Sequence, residues 1–321
     1  MDYVTRINLK TDAKSRKDLI DFCLGDINEQ YIAIGWSYIY SDNVNKINNY
    51  KKYYDFVKVS VKAKGKRFNH VLNIFNDTKA DNLFWTRDLN GYYWICRAKS
   101  GPKTITEINM PIQKGKELDV GAVVPVEAYR YGLAVPGAIK SSFNTPRGGI
   151  AKRIYNNLII EFSKFAFNKM SNSNMYSLRN IEELSQESKE NFISNLPDFD
   201  LEELVISYIQ IEHDYYLLSN SIANKSTTVK IEGELYSRNL SKPGKAVVQV
   251  KGPGYKNVLS AILFKQFIED GYVVFLYANK CDACGLDNVV IITKEELESF
   301  YFKNKSILPD SITQWENIFK E

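Results

Sequence analysis

The segment Lys245-Ala-Val-Val-Gln-Val-Lys251-Gly252 sets a glutamine and a lysine two residues apart at the end of an apolar run. Side chains alternate along a strand, so Gln249 and Lys251 project to one side while Val248 and Val250 face the other. Polar groups in such a strand are costly unless something uses them. Upstream, Thr227-Thr-Val-Lys-Ile-Glu232-Gly-Glu234 carries two carboxylates at the same period of two. A turn over residues 239–244 pairs the two strands and brings Glu232 or Glu234 beside Gln249 and Lys251. An acid with an amide oxygen can hold a divalent ion, and an adjacent ammonium can orient or deprotonate water and stabilise developing charge.

Working outward, residues 201–212 have the spacing of an amphipathic helix, with Leu201, Leu204, Val205, Tyr208 and Ile209 on one face. Strands are predicted over 215–219, 227–236, 246–251 and 272–278, with a helix over 258–270 joining the last two. The order helix, three strands, helix, strand describes an α/β sandwich around a mixed sheet. Residues 169–176 contain Ser-Asn-Ser-Asn and read as a linker, and the polar stretch beyond is helical in its middle.

These features resemble the PD-(D/E)xK nuclease superfamily, in particular its Mrr-like restriction branch, over residues 198–280. The family begins with a helix that carries a glutamate, matched by Leu201-Glu202-Glu203-Leu204-Val205. An acid on the following strands is matched by Glu232, and the closing Gln-x-Lys by Gln249-Val-Lys251. The resemblance implies Glu232 and Gln249 as ligands of Mg²⁺ or Mn²⁺, with the backbone carbonyl after Gln249 as a candidate third. It implies that Lys251 activates or positions water and that Glu202 serves a second ion or water. A glutamate stands where the family usually has aspartate, and Glu234 competes for the same role. The other reading is that these are solvated residues of an edge strand.

Cys281-Asp-Ala-Cys284 invites a zinc reading, but zinc needs four ligands. The remaining candidates are Cys23, Cys96, His70 and His213, with no second pair at metal-binding spacing. A loop with two free thiols is expected instead. His213 reads as a helix-terminal histidine, and two histidines in all make a histidine-led hydrolase a poor fit.

In the first half, residues 14–24 have helical spacing. Tyr31-Ile-Ala-Ile-Gly-Trp36 reads as a short strand, and residues 56–63 and 71–75 are apolar segments of undecided type. Strands at 83–86 and 92–98 flank Asn90-Gly91, a strong hairpin signal because both residues tolerate positive φ. Residues 120–129 form another strand, interrupted or edged at Pro125, and a helix follows over 154–168. Several short strands with few helices indicate a small barrel or strongly bent sheet.

Taken with Val135-Pro-Gly-Ala-Ile-Lys-Ser-Ser-Phe143, the order of these segments resembles the PUA-like barrels, especially the EVE and YTH group that read modified bases. The resemblance spans about residues 15–155. It implies a base held between aromatic side chains, where stacking contributes ~1 to 3 kcal/mol per base. Trp36, Trp85, Tyr92 and Trp94 are the candidates for that pocket, although aromatics at strand spacing also pack cores. Trp36, after Gly35 at a strand end, leads them. Lys58, Lys62, Lys64, Lys66 and Arg67 are candidates to follow a phosphate backbone.

The composition agrees with two domains. The 321 residues are 44% hydrophobic and 25% charged, which excludes wholesale disorder. Residues 1–155 hold 25 Lys+Arg against 15 Asp+Glu, while 156–321 hold 17 against 23. A basic half beside an acidic half suits a polyanion-binding module joined to one with functional carboxylates. The start lacks the apolar core of a signal peptide and no apolar run would span a membrane, so a cytoplasmic location is expected. The fold expected is α+β and α/β. Residues 1–168 form a PUA-like β-barrel with flanking helices, 169–197 a linker and helical segment, and 198–321 a restriction-endonuclease-like α/β sandwich. The function expected is that of a modification-dependent or defence-related DNA endonuclease, with metal-dependent phosphodiester hydrolysis directed by the base-reading first domain. A homodimer or successive cuts would sever both strands. The alternatives are a catalytically silent nucleic-acid-binding protein on the same scaffold, and an RNA-directed binder.

Overall fold

The computed structural model describes residues 2–43, 46–62, 66–144, 149–190, 192–196, 198–218, 231–239, 241–314 and 319. It is a mixed α+β structure with one curled sheet and two further sheets. By internal contacts the chain divides into two compact units, Met1–Leu184 with Ile318–Glu321, and Ser185–Asn317. Among the described residues no helix is long and apolar enough to cross a membrane.

The first unit is built on β1 (Val4–Ile7), β2 (Gln30–Ile34), β3 (Leu83–Arg87), β4 (Tyr93–Ala98), β5 (Lys103–Thr104), β6 (Ala122–Gly132) and β7 (Ala151–Ile154). Their order is β2-β6-β4-β3-β1-β7, with β5 also on β6, so the sheet curls as a half-barrel rather than closing. The long strand β6 makes the curl. Its first residues, Ala122–Val126, pair with β2, and its later residues pair with β4. Pro125 does not interrupt β6. In an antiparallel strand a residue's N–H and C=O share one edge, and the Pro125 carbonyl accepts from Lys99 N just past the end of β4. The missing N–H therefore falls where the neighbouring ladder stops, a position a proline tolerates.

The hairpin at Asn90-Gly91 forms through a loop over residues 88–92, and of the pair only Gly91 takes positive φ. Gly91 takes φ +84°, and the Asp88 carboxylate accepts from the backbone N–H of Asn90 and Tyr92. Helix Arg16–Leu24 starts where the Ser15 hydroxyl accepts from Asp18 N, and it buries Leu19, Ile20, Cys23 and Leu24. The undecided segments are helical, within Tyr50–Lys62 and Lys66–Asn76. Tyr50, Tyr53, Val57, Val71, Leu72 and Phe75 join the core against β2, β4 and β6. The expected helix over 154–168 is Asn157–Ser171, and it packs on the other face of the sheet. Asn168 on this helix holds the backbone of Tyr176 by two hydrogen bonds, and the Tyr176 hydroxyl donates to Asp81 O at 2.7 Å. That ties residues 168–176 to the first unit.

The second unit contains β8 (Tyr215–Leu217), β9 (Gly233–Ser237), β10 (Lys245–Val250), β11 (Leu259–Ser260), β12 (Val273–Tyr277), β13 (Cys281–Asp282) and β14 (Val289–Ile291). The main sheet has the order β14-β12-β10-β9-β8 and is mixed. The pairs β10·β12 and β12·β14 are parallel, and β10·β9 and β9·β8 are antiparallel. Val247, Val274 and Leu276 pack with Leu259, Ala261 and Phe264 on one face. On the other, Phe275 meets the rings of His213 and Tyr215 beside helix Asp198–Glu212. Burial and the charge of Lys242 hold the His213 imidazole below its ordinary pKa, so it sits here as a neutral packing group.

The helix expected over 258–270 is a strand, a 3₁₀ turn and a short helix: β11, then Ala261–Phe264, then Lys265–Glu269. Leu259 pairs with Cys281 in a parallel ladder, which holds the backbone extended until the Ser260 hydroxyl caps the turn. The strand expected over 227–236 is seen as Gly233–Ser237, and its earlier part, residues 227–230, lies outside the described residues.

Candidate functional site

The β9–β10 hairpin sets the geometry. Val247 pairs with Glu234 and Val248 with Gly233, and Glu232 N donates to Val248 O at 2.8 Å. Glu232 therefore reaches Gln249, and the Gln249 amide nitrogen donates to Glu232 Oε1 and to Val250 O. Gln249 is buried at 2% exposure. Lys251 Nζ lies 3.9 Å from the same Glu232 oxygen. Its backbone is fixed by a bond from Lys251 N to Tyr277 O. Carboxylate, amide and ammonium thus converge at the end of β10.

Glu234 lies on the same face, one pleat away. It accepts from the Tyr272 hydroxyl at 3.2 Å and does not line the cleft around Lys251. That cleft has a volume of about 330 Å³ and is lined by Asp198, Glu202, Glu232, Val250, Lys251, Gly252, Gly254 and Tyr255. Glu202 is half-buried there. Asp198 was not singled out by the sequence. It stands four residues before Glu202, the spacing that puts both on one helix face, and this was the signal that could have found it. A Cβ on Gly252 would lie 2.2 Å from Asp198 Oδ1, so the absence of a side chain lets this carboxylate approach the backbone next to Lys251.

The donors here are oxygens: Glu232, the Gln249 amide and the Val250 carbonyl, with Asp198 and Glu202 at the rim. Such a set suits a hard cation in kind. Its present arrangement is closed on itself, because both hydrogen-bond partners of the Gln249 amide nitrogen are acceptors. Among the described residues no three His, Cys, Asp or Glu side chains form a group that could hold a metal ion. Cys281 is half-buried, with its thiol pushed up by burial, and Cys284 lies beside the Ser260 hydroxyl at 3.0 Å. All four cysteines are free.

In the first unit the four aromatic candidates do not meet. Trp85 is fully buried, stacks on Phe162, and donates from Nε1 to Ser163 Oγ at 2.8 Å. It is core, covered by helix Asn157–Ser171, and not a pocket wall. Tyr92 and Trp94 lie together at the hairpin. Arg130 covers the Tyr92 ring at 5.0 Å, and Trp94 Nε1 donates to Asp88 at 2.9 Å. Trp36 belongs to the opposite end of β6. Ile34 pairs with Ala122 and Trp94 with Arg130, which separates them by about 26 Å of strand.

Trp36 has φ 64° and ψ 33°, a left-handed conformation that a bulky residue adopts only when its surroundings enforce it. The enforcement is visible. Asp119 Oδ1 accepts from Ser37 N and Ser37 Oγ, and its Oδ2 accepts from Asp12 N. Tyr53 OH donates to Gly35 O at 2.6 Å, and a Cβ on Gly35 would meet Asp119 Oδ2 at 2.5 Å. Asp119→Ala is expected to lower stability by about 1 to 3 kcal/mol in urea unfolding and to shift tryptophan emission, with Asp119→Asn losing less. Unchanged emission and stability would show that Asp119 does not brace Trp36.

Of the basic candidates, Lys58 lies over the Tyr54 ring at 5.2 Å. Lys62, Lys66 and Arg67 lie in the helices Tyr50–Lys62 and Lys66–Asn76, their side chains outside the description, and Lys64 is outside the described residues. Compared with family models, with curated proteins and with solved structures, the chain matches none.

Proposed function

We propose that the second unit hydrolyses phosphodiester bonds of DNA with the help of a divalent metal ion, and that the first unit directs it by reading a base. The observation that carries this reading is the convergence of Glu232, Gln249 and Lys251 in one cleft with Glu202 and Asp198. Mg²⁺ or Mn²⁺ held by Glu232, the Gln249 amide oxygen and the Val250 carbonyl would polarise the phosphoryl group and acidify a water. Gln249 must then present its oxygen to the cleft, which takes its amide nitrogen away from Glu232. Lys251 compensates the negative charge that builds on the phosphate and orients the attacking water. Glu202, across the cleft, accepts a hydrogen bond from that water. In the first unit Trp36 offers a fixed aromatic face, and Tyr92 with Trp94 a second one at the hairpin.

Digestion of a panel of modified and plain DNAs with Mg²⁺ or Mn²⁺ tests the reading directly. The two neighbouring acids separate under substitution. Glu232→Gln should reduce metal-dependent cleavage by about 10²-fold or more, while Glu234→Gln should stay within a few-fold of wild type. The reverse outcome would move the ligand one pleat along β9.

A second reading has its own observation. The Gln249 amide nitrogen donates to Glu232 and so occupies its carboxylate, an arrangement suited to a silent scaffold that keeps the nuclease fold to bind DNA or RNA. On that reading no DNA in the panel is cut, and binding persists in EDTA.

A further inference from the structure

Arg6 sits in β1 with no exposed surface. Nη1 donates to Gly149 O at 2.6 Å and to Ile150 O at 3.2 Å. Nε and Nη2 are buried and have no acceptor among the described residues. Arg6 makes no ion pair among the described residues. Burial lowers its pKa to about 10, which leaves the guanidinium charged at neutral pH. A buried charge is ordinarily paired or neutralised, and this one is neither.

The neighbourhood adds positive charge rather than balancing it. Arg6 is level with Trp85 in the parallel β1–β3 ladder, and Arg87, two residues on, stands on the same face. The guanidinium carbons of Arg6 and Arg87 each lie 5.6 Å from the Phe143 ring centroid. Tyr93, opposite Arg87, packs its ring edge against Phe143 at 5.5 Å. Arg87 is only half-buried, so the cluster opens towards solvent on its side. Lys152 stands across from Arg6 in β7 and is exposed.

We propose that Arg6, Arg87 and the Phe143 ring form a binding site for a phosphate group, free or carried by a nucleic acid. Nε and Nη2 are the side-on fork of the guanidinium, two parallel donors that grip two oxygens of one anion. Both are the unused donors of Arg6. Arg87 supplies a second cation from the solvent side, which favours phosphate over a carboxylate. Since the fork is shielded in the present arrangement, binding requires the Phe143 side chain to turn aside.

Thermal unfolding of the full chain tests this in sodium phosphate, thymidine 5′-monophosphate or oligothymidylate, each against sodium chloride at equal ionic strength. Wild-type Tm should rise by roughly 5 °C at saturation with at least one of the three. Phosphate alone acting points to the free anion, and the oligonucleotide alone acting to a nucleic-acid phosphate. Arg6→Met should keep or raise the ligand-free Tm, because it removes an uncompensated buried charge, and should abolish the ligand shift. If Arg6→Met does not fold, Arg87→Gln decides: the proposal requires it to reduce the shift by half or more. A wild-type shift absent with all three ligands overturns the site, as does one that survives in every variant that folds. These readouts do not involve cleavage, so a failure here leaves the nuclease reading untouched.

Discussion

Lys251→Ala protein, supplied with DNA and Mg²⁺, is expected to cut about 10²- to 10⁴-fold more slowly than wild type while still binding DNA, with affinity within roughly a few-fold of wild type. The expectation follows from where the ammonium stands. Its nitrogen is 3.9 Å from a Glu232 oxygen, and the side chain is partly exposed to the cleft, so it can face both the carboxylate and a bound phosphate. The alanine variant removes the only Lys or Arg lining that cleft among the described residues. Its fold should survive, because the strand is held by backbone pairing and by Val247, Val248 and Val250, which are untouched. The checks are single-turnover cleavage, a gel-shift assay in Ca²⁺ and far-UV circular dichroism. Wild-type rates in a folded Lys251→Ala protein would remove this strand from catalysis. A wild type that cuts nothing under any metal would instead favour the silent scaffold.

The grouping of Glu232, Gln249 and Lys251 was legible in the sequence because strand alternation and hairpin pairing are local rules. A period of two fixes which residues share a face, and a turn over residues 239–244 pairs the two strands. The choice between Glu232 and Glu234 was not legible, since a shift of pleat changes no local rule. The observed register, Val247 with Glu234, sets Glu232 rather than Glu234 beside Gln249, and the Tyr272 hydroxyl donates to Glu234. The stretch Ala261-Ile-Leu-Phe264 is a continuous apolar run, and periodicity cannot separate a helix from a 3₁₀ turn there. Only the pairing of Leu259 with Cys281 does so, and that is a tertiary contact. Arg6 is a similar case: a lone arginine between Thr5 and Ile7 gives no sign that two of its donors lack acceptors among the described residues.

The tryptophans show the limit most sharply, and Trp85→Ala against Trp36→Ala measures it. Trp85→Ala should destabilise the protein by about 3 to 5 kcal/mol, enough to lower the midpoint in urea substantially or prevent folding. The indole is fully buried, its ring lies parallel to Phe162, and its N–H satisfies the Ser163 hydroxyl, which itself donates to Ile159 O. Truncation leaves a large cavity under helix Asn157–Ser171 and costs a buried hydrogen bond as well. Trp36→Ala should behave differently. Trp36 is partly buried and packs against the edge of the core, and its left-handed backbone is a strain that a smaller residue also carries. Its loss should cost less than half as much stability as the loss of Trp85. If Trp36 is the wall of a base pocket, the folded variant should lose discrimination between modified and plain DNA by 5-fold or more while plain-DNA affinity stays near wild type. Stacking distinguishes bases, and phosphate contacts do not. Equal stability losses in the two variants would place Trp36 in the core beside Trp85. A folded Trp36→Ala protein with unaltered discrimination would shift the reading surface to Tyr92 and Trp94, where Arg130 already lies over one of the two rings.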